Sequence, residues 1–284
     1  MSGPVTVVEV GPRDGLQNEA AVVPAADKVR LIERLADAGV AVVEATSFVS
    51  PRAVPQLADA DEVLPAIRRR PGVRYPVLVP NVRGLDRALA AGADAIAVFT
   101  AASDEFTRAN IGMTIAESLL AFAPVLQRAQ AEGMWTRGYI STAFGCPYSG
   151  DVRPEVVAGV AAALRGLGCG QISIGDTIGV GRPEHVPAVV SAVAASVPVA
   201  EIALHLHDTG GRALDNVAAG LEVGVRTFDS SAAGLGGCPF APGAPGNVAT
   251  EALVRFLHRQ GMETGVDPDA VERAGRGVRD RLAA

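Results

Sequence analysis

Short apolar runs rich in β-branched residues recur along the chain, and longer stretches of helical spacing separate them. The strand-like runs lie at 5–10 (VTVVEV), 40–45 (VAVVEA), 75–79 (YPVLV), 94–99 (DAIAVF), 136–142 (TRGYIST), 170–175 (GQISIG), 201–206 (EIALHL) and 225–230 (VRTFDS). Helical patterns fill the gaps at about 24–38, 52–70, 83–91, 112–132, 153–167, 183–196, 212–223 and 246–260. This alternation predicts βαβ units and a parallel sheet. The joints repeat as well: Gly39, Gly92, Gly168 and Gly224 each stand between a helix end and a buried strand, where a left-handed C′ residue is expected. Eight such units match an α/β fold of the (β/α)8 TIM-barrel type, with a doubly wound open sheet as the competing architecture. After the last repeat comes a loop, GMETGVDP, and a terminal helical extension.

The length, 284 residues, suits one barrel domain spanning 1–284, and no linker-like stretch divides it. A hydrophobic share of 49% against 20% charged residues fits a globular protein with a large core and argues against disorder. A net charge of −6 disfavours a nucleic-acid partner. No uninterrupted apolar run reaches membrane-spanning length, and a strand starting at Val5 leaves no room for a leader, so a cytoplasmic protein is expected. Cys146, Cys169 and Cys238 are odd in number and show no CxxC spacing, which reads as free thiols in a reducing compartment.

Lys28 is the sole lysine, in a stretch whose periodicity places its amine in solvent. Schiff-base aldolase chemistry needs a desolvated amine, so any carbon–carbon chemistry here must stabilise its carbanion otherwise.

In a barrel the chemistry sits at the C-terminal ends of the strands, and polar residues do collect there. The first strand runs into GPRDGLQNE (11–19), the second ends in Glu44, Thr46 and Ser47, and the fifth leads to Ser141 and Thr142. The sixth ends at Asp176 and Thr177, the seventh in HLHD (205–208), and the eighth leads into SSAAGLGGCPFAPGAPGN (230–247). His205 and His207 are two apart on a strand and share a face, which is metal-chelating geometry if that face is the barrel interior. The bland alternative is one core histidine and one exposed. Asp14 supplies a carboxylate across the mouth, and Arg13 beside it suits an enolate or carboxylate, unless the two form a surface pair in a turn. Glu44 and Asp176 either orient the arginine or a histidine, or act as caps in a polar layer. Cys238 is a proton donor, a nucleophile or a packed thiol; Asn247 is a helix cap or a neutral oxygen ligand.

Six strings carry a resemblance over nearly the whole chain: VEVGPRDGLQNE (8–19), ATSFVSP (45–51), GCPYSG (145–150), ISIGDTIGVG (172–181), HLHDTGG (205–211) and AGLGGCPFAPGAPGN (233–247). On these the chain resembles the 3-hydroxy-3-methylglutaryl-CoA lyase family. GPRDGLQNE with GLGGCP is specific to that family, whereas HxHD is shared with related metal-dependent synthases and aldolases. The resemblance implies Mg2+ or Mn2+ held by Asp14, His205, His207 and Asn247. It implies enolate stabilisation by Arg13, supporting roles for Gln17, Glu44 and Asp176, and a catalytic thiol at Cys238. Gln17 and Ser141 join Arg13 as expected substrate contacts, and either Asp14 or His205 is the base. The implied partners are an acyl-CoA substrate and a second copy of the chain in a homodimer. One departure stands out: better-known members have lysine where this chain has Ala20. Three rivals compete. A condensing synthase normally carries a longer C-terminal region and lacks GLGGCP; a zinc hydrolase needs more ligands, while His185 and His258 fall in helices; a non-catalytic barrel has no use for the mouth residues.

Overall fold

The computed structural model describes residues 3–236 and 246–283. Nine parallel strand segments follow the order β2-β1-β9-β8-β7-β6-β5-β4-β3. They are β1 (Thr6–Glu9), β2 (Val42–Val43), β3 (Thr46–Ser47), β4 (Val77–Leu78), β5 (Ala95–Ala101), β6 (Trp135–Ser141), β7 (Gln171–Asp176), β8 (Ile202–Leu206) and β9 (Thr227–Ser230). The two ends of that order, β2 and β3, are halves of one extended run. Between them Glu44 N–H donates to the Glu9 carbonyl (2.8 Å) and Ala45 N–H to the Pro76 carbonyl (2.9 Å), so the run bridges both sheet ends and closes the barrel. Eight strand positions result, as the apolar periodicity predicts, and the open-sheet alternative falls.

The helices are α1 (Ala25–Asp37), α2 (Ala60–Ala66), α3 (Val82–Ala90), α4 (Asp104–Ile111), α5 (Ile115–Ala131), α6 (Pro154–Gly166), α7 (His185–Ala194), α8 (Ala213–Glu222), α9 (Thr250–Arg259) and α10 (Pro268–Ala283). Gly39, Gly92, Gly168 and Gly224 all take positive φ at the helix-to-strand joints. Three expectations need correction. The helix expected over 52–70 is a short 3-10 turn at Pro55–Leu57 followed by α2, because Pro55 and Pro65 interrupt the hydrogen-bond ladder. The pattern expected over 112–132 starts at Ile115, where Thr114 and Glu117 form a capping box. Ahead of it lies an unforeseen helix, α4, capped by the Ser103 hydroxyl and stopped by left-handed Gly112. The helix expected from 246 begins at Thr250, with Ala249 at its cap position, so Asn247 is not a helix cap.

Lys28 is also corrected. Its side chain is 1% exposed, and the amine bonds the Gln56 carbonyl (2.5 Å) and pairs with Asp59 (2.6 Å). The loop after β3 folds back over α1 and claims it. The amine is thus buried but committed to an ion pair. No single helix among the described residues is long and apolar enough to cross a membrane.

Strand alternation sorts the side chains into two sets. Val7, Val43, Ala45, Ile96, Val98, Ile140, Ile172, Ile174, Leu204 and Phe228 belong to the large cluster shared with the helices. The inward positions mix apolar and polar side chains: Val8, Val10 and Val42 form one small cluster and Leu78, Ala97 and Tyr139 another, while buried Asp229 is in register with Val8 and buried Arg137 with Ala97. Outside the barrel, buried Glu9 ties two mouth segments together: it accepts from Gly11 N–H (2.8 Å), Ala232 N–H (2.9 Å) and the Thr250 hydroxyl (2.7 Å). Burial, against the pull of those bonds, raises its pKa to about 7.

Candidate active site at the barrel mouth

The chain leaves β1 through a single π-type turn, Gly11–Gly15, in which the N–H groups of Arg13, Asp14 and Gly15 all point at the Val10 carbonyl. Pro12 fits the first turn, where its missing N–H costs nothing. A Cβ at residue 11 would lie 2.6 Å from a Glu9 carboxylate oxygen, and one at residue 15 would lie 2.9 Å from Leu235, so only glycine lets the turn sit this close. The turn presents Arg13 and Asp14 side by side over the barrel.

Arg13 is a buried fork. Nη1 bonds Asp14 Oδ1 at 2.7 Å and Nη2 bonds Glu44 Oε2 at 2.8 Å, so the surface-pair alternative is excluded. Glu44, fully buried on the run between β2 and β3, also accepts from the Tyr139 hydroxyl at 3.0 Å. The Tyr139 ring lies between two guanidinium groups, Arg13 at 5.4 Å and Arg137 at 4.9 Å. Burial pushes Glu44 above the usual carboxylate range while Arg13 pulls it down. Asp14 goes the other way: burial would raise it, but Arg13, His205 and the Asn247 amide hold it at about 2.

His205 and His207 share the inner face of the seventh strand position, at the end of β8, with ring centroids 5.2 Å apart. One donor atom each from Asp14, His205 and His207 lies within 4.8 Å of the others. The Asn247 amide donates to Asp14 Oδ2 (2.9 Å), and its backbone bridges to His207. A half-turn of that amide would direct its oxygen to the same point. Burial, helped by neighbouring His205, depresses His207 to about 4 and keeps the ring neutral. Its Nδ1 is buried without a partner. A carboxylate, two imidazoles, an amide and an orphaned ring nitrogen fit a divalent cation with a preference for O/N ligands. Among the described residues no further histidine or cysteine joins the cluster. His185 starts α7 and His258 lies in α9, which counts against the zinc hydrolase.

The remaining expected residues divide. Asp176 ends β7 but accepts from the Val180 (3.0 Å) and Gly181 (2.9 Å) N–H groups, so it shapes the following loop and does not grip a histidine ring. Burial raises it to about 6 against those bonds. Gly181 is required there, since a Cβ would stand 2.8 Å from Asp176 Oδ2. Ser141 ends β6, half-buried, beside Thr142, a non-glycine residue held at φ 56°. Gln17 is half-buried in the turn after Asp14. Cys238 lies outside the described residues. Its upstream stem is pinned where Gly236 N–H donates to Glu19 (3.1 Å). Ala20 is exposed next to that Glu19.

Three site residues were not anticipated: Arg137, Tyr139 and Asp229. Arg137 pairs with Asp229 at 2.5 Å with both side chains inaccessible, and Asp229 also meets His205 Nδ1 at 3.3 Å. The signal was present, because a charged residue and a tyrosine two apart in an otherwise strand-like run, TRGYIS, must share the inner face. Attention to strand ends alone passes over it.

The family model described as HMGL-like matches residues 4–278. The mitochondrial hydroxymethylglutaryl-CoA lyase of Mus musculus is 53% identical over 271 residues, 95% of this chain and 83% of that protein. The HMG-CoA lyase structure from Brucella melitensis superposes with a TM-score of 0.97 at 54% identity, covering 99% of each chain. An HMG-CoA lyase from Acinetobacter baumannii in complex with coenzyme A and 3-methylmalate gives 0.93 at 39% identity, covering 99% of this chain and 92% of that one.

Proposed function

The chain belongs to the HMGL-like family, and from that premise we propose that the barrel mouth cleaves 3-hydroxy-3-methylglutaryl-CoA to acetyl-CoA and acetoacetate. The activity is that of a carbon–carbon lyase. The observation that carries it is the convergence of Asp14, His205 and His207 within 4.8 Å, with the Arg13 guanidinium fixed against Asp14. This is the equipment for ionising a hydroxyl and stabilising an enolate without a Schiff base.

Asp14, His205, His207 and Asn247 would hold Mg2+ or Mn2+, which supplies Lewis acidity to the tertiary hydroxyl and lowers its pKa. Asp14 takes the hydroxyl proton, because a neutral His205 that carries hydrogen on one ring nitrogen and gives the other to the cluster has no lone pair left to accept it. The bond between C2 and C3 then breaks. Its electron pair stays on C2, delocalised onto the thioester oxygen as an enolate, and C3 becomes the ketone of acetoacetate. Arg13 spreads the developing charge, held for that task by Glu44 and Tyr139 behind it. Cys238 returns a proton to the enolate carbon to give acetyl-CoA, so one proton moves from oxygen to carbon with no net redox change. Gln17 and Ser141 flank the acyl group, and Asp176 shapes the loop at 177–181. The complex of a relative with coenzyme A supports the acyl-CoA assignment. The resemblance further supports one domain across 1–284 and a homodimer. A reducing compartment, the cytoplasm, suits the free, buried Cys146 and Cys169.

A panel of 3-hydroxyacyl-CoA thioesters with mass-spectrometric product identification tests the assignment. Acetyl-CoA and acetoacetate from 3-hydroxy-3-methylglutaryl-CoA are expected. No cleavage of that thioester, or faster cleavage of another, would overturn it. Cys238→Ala should lose about 10²–10⁴-fold in rate with metal affinity intact. Near-native turnover would remove the thiol from the chemistry.

A further inference from the structure

We propose that Asp229 is a positioning residue that holds the His205 imidazole in its Nδ1–H tautomer and turns Nε2 toward Asp14 and His207. The inference rests on reading those residues as the metal cluster. Asp229 sits on β9, 2% exposed, and its carboxylate is held from three sides. Oδ1 accepts from Arg137 Nη2 at 2.5 Å. Oδ2 accepts from the Ser173 hydroxyl at 2.8 Å and faces His205 Nδ1 at 3.3 Å. An ionised carboxylate only accepts, so the shared hydrogen must lie on Nδ1 of the ring. The lone pair of the neutral imidazole is then on Nε2.

The carboxylate cannot turn away. Arg137 is buried on the far side with its guanidinium stacked over Tyr139, and Ser173 fixes the oxygen that His205 uses. His205 itself stands edge-on to Tyr139, with centroids 6.4 Å apart. The two imidazoles of the cluster therefore differ. His205 has its tautomer set by the protein, whereas His207 keeps a buried Nδ1 with no partner. Such outer partners orient a metal-binding histidine, and their loss typically costs ~10–100-fold in metal affinity. A carboxylate serving only to neutralise Arg137 would leave the ring free to adopt either tautomer.

The test is nitrogen NMR of metal-free protein labelled at histidine. The chain has four histidines, and His205→Asn identifies the relevant signals. The native protein is expected to show His205 protonated at Nδ1 and bare at Nε2. Asp229→Asn is expected to abolish that preference and weaken Mn2+ binding, read by the electron paramagnetic resonance of free Mn2+, by ~10–100-fold. An Nε2–H tautomer in the native protein would overturn the proposal. So would a folded Asp229→Asn with unchanged tautomer and Mn2+ affinity. If Asp229→Asn does not fold, Ser173→Ala decides: loosening the shared oxygen should broaden or shift the His205 Nδ1 signal, and an unchanged signal counts against Asp229. Should the native protein show the Nδ1–H tautomer yet bind no Mn2+, the metal reading fails while the tautomer assignment stands.

Discussion

Arg13→Lys isolates geometry from charge. The arginine fork reaches two carboxylates with separate nitrogens, Asp14 at 2.7 Å and Glu44 at 2.8 Å. A lysine keeps the positive charge but brings one ammonium on a shorter reach, so it cannot occupy both positions. Losing one charge-assisted hydrogen bond is worth about 1.5–3 kcal/mol. At 1.36 kcal/mol per factor of ten, that alone is roughly 10- to 150-fold in rate if it is felt in the transition state. In the role proposed for Arg13 the guanidinium also donates to the oxygen on which enolate charge develops, and removing such a donor costs about 10²–10³-fold. The effects overlap, so kcat is expected to fall by about 10²–10³-fold, with kcat/KM falling alongside because the interaction is made in the transition state. Acetyl-CoA and acetoacetate formation are followed by mass spectrometry, with Mn2+ affinity and melting temperature measured on the same protein. Near-native turnover by a folded Arg13→Lys variant would refute the role given to the fork.

Other perturbations bear on separate parts of the structure. Glu9 has its pKa raised from 4.5 to about 7 by burial, so the native state holds its proton more tightly than the unfolded chain. Its contribution is fully present below pH 4.5 and lost as pH rises through 7, on the order of 3 kcal/mol in all. Denaturation of native protein and Glu9→Gln at pH 4.5 and pH 8 should therefore show the native chain losing ground with rising pH, and parallel profiles would contradict this. Lys28→Met should lower stability by about 1–3 kcal/mol, since it strands the Gln56 carbonyl and Asp59, while leaving Mn2+ affinity unchanged. An unchanged melting temperature would return that amine to solvent. Ala20→Lys restores the cation usual at this position in better-known members and should raise turnover of 3-hydroxy-3-methylglutaryl-CoA; an unaltered rate would make position 20 irrelevant.

The barrel was legible because its signal is repetitive: apolar strands, glycine-ended joints and polar residues at strand ends all report the same closed architecture. The mouth residues were legible for the same reason, since Arg13, Asp14, His205 and His207 follow directly on strand runs. What escaped depends on which residue meets which across the barrel. Arg137 and Asp229 are 92 positions apart and pair only because β6 and β9 face one interior. Asp176 looked like a histidine partner by its place at a strand end, yet its outward turn gives it to the backbone at 180–181 and leaves the histidine to Asp229. Lys28 read as solvent-facing because periodicity describes a helix alone and carries no information about a loop folding over it. Asn247 read as either a cap or an oxygen ligand because the start of α9 was placed at 246, four residues ahead of Thr250, and helix boundaries are poorly marked in sequence.

The most direct measurement is turnover of 3-hydroxy-3-methylglutaryl-CoA by metal-stripped protein before and after Mg2+ or Mn2+ is restored, with His207→Ala in parallel. No acetoacetate is expected from the stripped native protein, with recovery on adding either ion. His207→Ala is expected to stay folded, bind the ion weakly and recover little. Full activity in protein shown to be free of metal would contradict a cation held by Asp14, His205 and His207.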